Sequence, residues 1–284
     1  MQKFVTPIFG PLLLAAALTA GCSSSDAPTP AQPAVPMGHV HGIAQNPADQ
    51  LIYLATHTGV YRLKPGQKPA LIANRFQDTM AFTIVKADDF LASGHPAVDE
   101  DTPNPLGLIR STDRAKSWRP VALGGRSDFH AIDTAGPLLY AYGSDGRLMR
   151  TTDRRSWSTV LRGADLIDIA TNPEQVDQVL VTTQAGELLR LNVAGSPRLR
   201  PVSGAPQLTF IDRTTQGDVV GIDESGRVFS ANQDARSWTR LSSLPGVPEA
   251  LNVRSDTWLA ATEWGVYSSV DGGSSWQQLI SRNR

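Results

Sequence analysis

The sequence contains one cysteine, no long apolar run and no cluster of basic residues. A single cysteine excludes a disulfide bond within the chain. The formal net charge is −1, and without a basic stripe the composition gives no support for nucleic-acid binding. Long segments with the apolar periodicity of an α-helix are also absent. Short apolar strands separated by Gly, Asp, Asn and Pro dominate instead, and this pattern predicts an all-β protein.

The first residues are typical of an export signal. Lys3 supplies a positive charge, and the apolar segment from Pro11 to Leu18 is too short for a stable membrane span. This segment continues into Thr-Ala-Gly-Cys22, which resembles the lipobox of bacterial lipoproteins. We therefore predict a signal peptide over residues 1–21 and lipidation of Cys22, the alternative being an ordinary secretory signal with an unused thiol. Because Ser23 rather than Asp follows, the resemblance implies the periplasmic side of the outer membrane in a Gram-negative cell.

A polar segment separates this signal from the rest of the chain. Residues 22–37 are mostly Ser, Pro and Ala with one charged residue, and they bury too little apolar surface to offset the entropy cost of ordering. We predict that this segment is a disordered tether. It would hold a single domain of residues 38–284 away from the membrane.

The last part of that domain contains the most informative motif. Ser269-Val-Asp-Gly-Gly-Ser-Ser-Trp276 stands between two apolar strands. It combines a carboxylate that accepts backbone hydrogen bonds with glycines that tolerate positive φ. The pattern S-x-D-G-G-x-x-W resembles the Asp-box, or bacterial neuraminidase repeat, which is found in β-propellers. The resemblance implies that Trp276 covers the turn as an apolar plug.

Three diverged copies of the motif occur earlier in the chain. One has Arg-Ala in place of the two glycines, one reaches its tryptophan a residue early, and one reaches it a residue late with Asn in place of Asp. We interpret the motif residues as structural rather than catalytic. They are Ser111, Asp113, Trp118, Asp153, Trp157, Asn232, Trp238, Asp271, Gly272 and Trp276.

The motifs belong to a longer repeat of about 40 residues, the length of a four-stranded propeller blade. Six candidate inner strands begin near Val40, Ala81, Phe129, Leu166, Leu208 and Ala250. We therefore predict a single β-propeller with six four-stranded antiparallel blades, or seven if the register is shifted, and we expect a monomer.

The histidines are the candidate ligand-binding residues. In propellers, the loops that enter the inner strands and the turns between second and third strands emerge at one end, which we call the open face. All five histidines fall there, and Glu263 holds in blade six the position that His57 holds in blade one. The predicted ligand-binding residues are His39, His41, His57, His95, His130 and Glu263. The acidic segment 95–105 at the same face is either a lid or a tolerated insertion.

Two of the histidines are spaced for metal binding. His39 and His41 are two residues apart on a strand, so both imidazoles point to one side. With His57 or Glu263 they would form a three-ligand site with an open position, suited to Zn²⁺ or Cu²⁺. The alternative is that these histidines cap strand ends or line a wet channel.

A second resemblance raises the question of catalysis. The opening His39-Val-His-Gly, with Ala-Thr-His57-Thr-Gly, is similar to a group of bacterial Asp-box lipoproteins described as sialidase-like or glycosyl-hydrolase-like. A more distant similarity is to the assembly and stability propellers of photosystem II. Sialidase activity would imply three converging arginines, but His39-Val-His stands where the first is expected. Arg62, Arg110 and Arg150 lie near the ends of third strands and do not obviously converge.

Any other glycosidase would need two carboxylates about 5–10 Å apart. The only pairs that the sequence suggests combine Glu263 with Asp223 or Asp168. The leading hypothesis is therefore a lipid-anchored binding propeller of the cell envelope, whose open face takes a polar ligand, a glycan or a partner protein. A glycoside hydrolase with an unfamiliar set of residues and a periplasmic Zn²⁺- or Cu²⁺-binding protein are the alternatives.

Overall fold

The computed structural model describes residues 1–2 and 37–282. The predicted signal peptide, Cys22 and the tether as far as residue 36 lie outside the described residues. Twenty-four strands form six four-stranded antiparallel sheets, and a 3-10 turn occupies Ile72–Asn74. Each first strand contacts the first strand of the next sheet, and the last contacts the first. The chain is therefore a six-bladed β-propeller, as the repeat spacing predicts. No helix within the described residues is long and apolar enough to cross a membrane.

The strands of each blade are consecutive and run from the channel outward. Blade one contains β1 (Val40–Gln45), β2 (Ile52–Thr56), β3 (Gly59–Leu63) and β4 (Ala70–Leu71). Blade two contains β5 (Asp78–Lys86), β6 (Asp89–His95), β7 (Leu108–Ser111) and β8 (Arg119–Ala122). Blade three contains β9 (Phe129–Ala135), β10 (Leu138–Gly143), β11 (Arg147–Thr151) and β12 (Ser158–Arg162).

The second half of the ring repeats this arrangement. Blade four contains β13 (Leu166–Thr171), β14 (Gln178–Thr183), β15 (Leu188–Asn192) and β16 (Arg198–Pro201). Blade five contains β17 (Phe210–Arg213), β18 (Val219–Ile222), β19 (Arg227–Ala231) and β20 (Trp238–Ser243). Blade six contains β21 (Pro248–Asn252), β22 (Trp258–Thr262), β23 (Gly265–Ser269) and β24 (Gln277–Ser281).

The core lies between neighbouring blades. Second strands such as β2 and β10 are buried along their whole length because a blade covers each of their faces. They accordingly consist of nearly continuous apolar residues instead of an alternating pattern. The tryptophans of the four turn motifs are partly buried and pack against four different apolar clusters between blades, as expected for plugs.

The turns of blades two and six share one hydrogen-bond pattern. Ser269 Oγ donates to Asp271 at 2.8 Å and accepts the N–H of Gly273 at 2.9 Å. Ser111 forms the equivalent bonds to Asp113 and to the N–H of Ala115, at the same two distances. The two residues in the glycine positions of blade two, Arg-Ala, adopt φ of 65° and 62°, against 67° and 80° for the two glycines. Conformation is therefore retained although the favoured residue type is lost.

Aspartates on three inner strands join neighbouring blades. In each case one carboxylate oxygen accepts the N–H of the following residue and the other accepts an N–H from the next inner strand. The interblade bonds run from Thr171 to Asp133 (2.7 Å), from Ile211 to Asp168 (2.9 Å) and from Val253 to Asp212 (2.9 Å). These carboxylates connect blades three to four, four to five and five to six.

The ring closes between blades six and one through contacts between the two blades, since each blade is formed by four consecutive strands of its own. Glu249 of β21 is buried, accepts the N–H of Val40 at 3.0 Å and forms an ion pair with Arg282. Arg282 also donates to the carbonyl oxygens of Gly38 and Thr262. Met37, the last residue of the predicted tether, is fully buried in the apolar cluster between these two blades.

Candidate ligand-binding site on the open face

The structure brings the five histidines to the open face in two neighbouring groups. We call His39, His41, His57 and Asp78 the histidine cluster. His95, His130 and Asp128 form the second group. The elements that carry them are the entries to β1, β5 and β9, the turn after β2 and the end of β6. All belong to blades one to three.

The imidazole rings of the histidine cluster contact one another. Ring centroids are 4.6 Å apart for His39 and His41 and 4.3 Å for His41 and His57. His41 Nε2 lies 3.2 Å from His57 Nε2, and His57 Nδ1 lies 3.0 Å from Asp78 Oδ1. Nitrogen and oxygen atoms of His41, His57 and Asp78 all lie within 4.8 Å of one another.

Local backbone geometry places His41 in this cluster. The β1–β2 pairing shifts register between Val40 and Gly42, so His41 occupies an irregularity in the ladder. Such a bulge redirects a side chain, here toward the mouth of the channel. Gly42 is required beside it because a Cβ there would lie 2.9 Å from Cβ of Phe82 in blade two. The His-Val-His-Gly sequence thus combines two inward imidazoles with a close contact between blades.

The surroundings of the cluster keep two of its imidazoles neutral. Burial and the neighbouring rings of His39 and His57 lower the pKa of His41 to about 3. Burial also lowers the pKa of His39, and the carboxylate of Glu249 only partly opposes this effect. At neutral pH both rings therefore keep a nitrogen lone pair available to a ligand.

In the second group the pKa of a histidine is shifted in the opposite direction. His130 Nε2 lies 2.9 Å from Asp128 Oδ2, and this bond raises the pKa of His130 and lowers the pKa of Asp128. His95 Nε2 lies 3.6 Å from the same oxygen, and its Nδ1 contacts Asn104 Oδ1 at 2.7 Å. The face therefore presents neutral imidazoles beside an imidazole–carboxylate pair.

A narrow channel lies beneath the two groups. His41 and His130 line it together with Asp133, Asp168 and Arg254. Its cavity volume is about 80 Å³, well below the roughly 300 Å³ or more of a typical small-molecule pocket. A ligand larger than a few water molecules would therefore rest on the open face instead of entering the channel.

Arg254 crosses the channel at the end opposite the open face. Its guanidinium donates to Asp212 Oδ1 at 2.9 Å and to Asp133 Oδ2 at 2.6 Å. Burial alone would lower the pKa of Arg254, but the two carboxylates outweigh burial and raise it. This arginine connects blades three, five and six.

The three carboxylates that the sequence suggests for catalysis each make contacts within the fold. Asp168 is the interblade acceptor described above, and burial raises its pKa to about 7. Asp223 accepts the N–H groups of its own turn and pairs with Arg227 at 2.5 Å. Glu263 Oε1 accepts the indole N–H of Trp264 at 3.0 Å and faces the N–H of Val247.

The three arginines considered for a sialidase site point to separate environments. Arg110 forms a bidentate pair with Asp89, at 2.6 and 2.9 Å. Arg150 pairs with Asp177 at 2.9 Å on another blade. Arg62 is exposed on β3. Two of these arginines thus pair with carboxylates within the fold.

The sequence prediction omitted Asp78, Asp128 and Glu249. Asp78 was missed because the second inner strand was expected near Ala81, whereas it begins at Asp78, which pairs with His95. A useful signal was nonetheless present, since each of the three acids stands at or beside the start of an inner strand. That is the position occupied by His39 in blade one.

Exposed apolar side chains and a loop also stand in turns of the open face. Trp264 and Phe76 are each 58% exposed, on blade six and before blade two. The acidic loop after β6 is held by the pair of Arg75 with Glu100 at 2.6 Å, and its Leu106 is buried. The loop thus forms a fixed rim beside His95.

Comparison with known proteins identifies the fold. No family model matches the chain, and no curated protein matches it. A chain in the nidogen/laminin complex has a TM-score of 0.61 and 12% identity, covering 82% of this chain and 93% of its own. YCF48 bound to D1 peptide has a TM-score of 0.54 and 15% identity, covering 86% and 83%.

A third similar structure is the GH74 enzyme of Niastella koreensis, with a TM-score of 0.57 and 15% identity. The match covers 85% of this chain but only 45% of that enzyme, so this chain spans less than half of its length. At these identities the three comparisons establish one property of this chain, its β-propeller fold.

Proposed function

We propose that this protein is a binding propeller of the bacterial cell envelope and that its open face takes a partner protein at the histidine cluster. The observation that carries the proposal is the concentration of all five histidines on blades one to three of that face. Interblade packing does not explain this concentration, because the imidazoles contact one another and two aspartates at the mouth of the channel. Clustered polar groups of this kind are typical of a recognition surface.

The surroundings favour a protein partner. Trp264 and Phe76 offer exposed apolar and aromatic surface near the polar groups, a combination found at protein interfaces. Two of the similar structures are described as complexes, a chain of the nidogen/laminin complex and YCF48 bound to D1 peptide. The GH74 enzyme is 15% identical and is covered over only 45% of its length, so its hydrolase activity is not part of this proposal.

The proposal includes the predicted location and repeat type. The apolar segment ending at Cys22 supports export and lipid anchoring at the outer membrane. The shared Ser–Asp hydrogen bonds in the turns of blades two and six support their assignment as Asp-boxes. Both turns lie at the end opposite the histidines, which leaves the open face for the partner.

Photocrosslinking in intact cells tests the binding surface. A photoreactive amino acid replaces Val98 on the rim of the open face or, as a matched control, Val270, which is also exposed, on the opposite end. We expect one crosslinked protein from position 98 and none from position 270, with the band lost in the H39A/H41A/H57A variant. Equal crosslinking from both positions, or a band that survives the triple substitution, would contradict the proposal.

A hydrolysis assay separates this function from catalysis. The purified full chain is incubated with fluorogenic sialosides and neutral glycosides. We expect no turnover beyond that of the D168N/E263Q variant. Turnover that disappears in this variant would instead establish a glycoside hydrolase.

A further inference from the structure

We infer that the histidine cluster binds one divalent transition-metal ion, Zn²⁺ or Cu²⁺, through His41 Nε2 and His57 Nε2, with Asp78 fixing His57 and His39 as the third imidazole. The inference deepens the proposed function and rests on the open face being the binding surface. The metal would be the chemical feature that a partner recognises there.

The spacing of the two imidazole nitrogens matches metal coordination. Two nitrogens bound to one tetrahedral ion at about 2.0–2.1 Å lie about 3.3 Å apart. His41 Nε2 and His57 Nε2 are 3.2 Å apart. The pair is therefore already at the separation that a shared ion requires.

Asp78 occupies the position of an outer-shell partner. Its Oδ1 lies 3.0 Å from His57 Nδ1, a ring nitrogen that also lies 3.3 Å from His41 Nε2. A carboxylate that accepts the second N–H of a ligating histidine fixes the ring and makes the ligating nitrogen more basic. This arrangement distinguishes His57 from a histidine that merely caps a strand.

The third imidazole and the open side complete the site. The ring of His39 lies 4.6 Å from that of His41 and 6.0 Å from that of His57. An ion bound between His41 and His57 would therefore also lie beside His39. His39 and His57 are exposed, which leaves a coordination position open to solvent or to a donor group of a partner. Imidazole ligands favour Zn²⁺ and Cu²⁺ over Mg²⁺ and Ca²⁺, which prefer oxygen donors.

Isothermal titration of the purified full chain with Zn²⁺, and separately with Cu²⁺, tests the inference after chelator treatment. We expect one ion per chain for at least one metal and no comparable binding of Mg²⁺. The H41A/H57A variant should lose at least about 100-fold in affinity, and D78N about 10- to 100-fold, as for outer-shell partners elsewhere. The H95A/H130A variant removes the same number of histidines from the same face and should bind normally.

A spectroscopic measurement makes the assignment independent of folding. Electron paramagnetic resonance of the Cu²⁺ form should show nitrogen hyperfine splitting that changes in D78N and H39A, two variants that remove no ligand of the central pair. Melting curves establish that each variant is folded. Absence of stoichiometric binding in the wild type, or binding lost in H95A/H130A and retained in H41A/H57A, would overturn the inference.

The two proposals fail in different ways. Crosslinking from position 98 without any metal binding would refute the metal site and leave the binding surface intact. Stoichiometric metal binding without crosslinking would refute the partner surface and leave the metal site. Chelator treatment that abolishes crosslinking and Zn²⁺ or Cu²⁺ that restores it would connect the two.

Discussion

Polar side chains have different contacts in two regions of the channel. One region is its interior, on the inner strands of blades three to five, and the other is its mouth, in blades one to three. In the first region Asp133, Asp168 and Asp212 each accept a backbone N–H from the next blade. In the second region, His41 and His57 contact other side chains across the surface of the open face. The aspartates of the first region hold neighbouring blades together, and the histidines of the second region are presented to solvent.

This difference indicates where function can be located in a propeller. A buried carboxylate that satisfies a backbone donor is costly to remove, because the donor remains buried without a partner. An exposed imidazole that contacts other side chains can be replaced with little effect on the fold. Substitution of aspartates in the channel should therefore change stability, whereas substitution of histidines at its mouth tests the binding role that we propose.

The largest effect should come from Arg254. Substitution to Met leaves the buried carboxylates of Asp133 and Asp212 without their shared cation. About a third of the arginine side chain (31%) faces the channel, so water offsets part of the loss. We expect the free energy of unfolding to fall by about 2–4 kcal/mol in urea denaturation. The exposed Arg162→Met is the control, and an equal loss in both would mean that Arg254 does not fasten the ring.

Ring closure should be the next most sensitive point. Glu249→Gln keeps an acceptor for the N–H of Val40 but removes the charge opposite Arg282. Because both side chains are largely buried, we expect a loss of about 1–3 kcal/mol, measured by urea denaturation. The exposed Glu224→Gln should cost less than about 0.5 kcal/mol. Unchanged stability of Glu249→Gln would show that the charge opposite Arg282 does not contribute to the closure of blades six and one.

Asp168 should make stability depend on pH. Its pKa is raised to about 7 in the folded protein, above about 3.9 in an unfolded chain. Between these values the folded state binds more protons, so the contribution of Asp168 falls as the pH rises from 4 through 7. Relative to Asp168→Asn, the wild type should lose about 1–2 kcal/mol between pH 4.5 and pH 8, because water in the channel reduces the full linkage effect.

Urea denaturation of both proteins at the two pH values measures this difference. Parallel stability profiles would show that Asp168 stays ionised in the fold throughout. In that case the carboxylate would act at neutral pH as a charged acceptor of the N–H of Ile211, and its substitution would cost the same at either pH.

The sequence was sufficient to predict the propeller because the repeat is local. Strands and turns recur in each unit and the tryptophan in four of the six, and the turn at Arg114-Ala115 keeps its conformation even without glycine. Six inner strands were placed within about three residues of their observed starts. The aspartates of the inner strands can be read from the sequence. Their interblade hydrogen bonds cannot be predicted from one sequence, because they depend on how neighbouring blades are shifted relative to each other.

The site was predicted in part for the same reason. The order of the strands predicts that all five histidines lie at one end of the propeller. Their division into two groups depends on which side chains contact each other across blades. The apolar pattern placed the start of the second inner strand near Ala81, after Asp78, and the start of the third at Phe129, directly after Asp128. Neither aspartate was therefore included in a predicted strand. Contacts across 21 positions, such as His57 with Asp78, require the structure.

The smallest change in stability should follow removal of the histidine cluster. His39, His41 and His57 contact one another, and 47% of the His57 side chain is exposed. Burial of His41 among neighbouring imidazoles makes its charged form unfavourable, so the fold gains little from it. We expect the H39A/H41A/H57A variant to unfold within about 1 kcal/mol of the wild type at pH 7.5. A loss of unfolding free energy as large as that of Arg254→Met would show that the histidines hold the blades together. It would also remove the reason to assign them to binding.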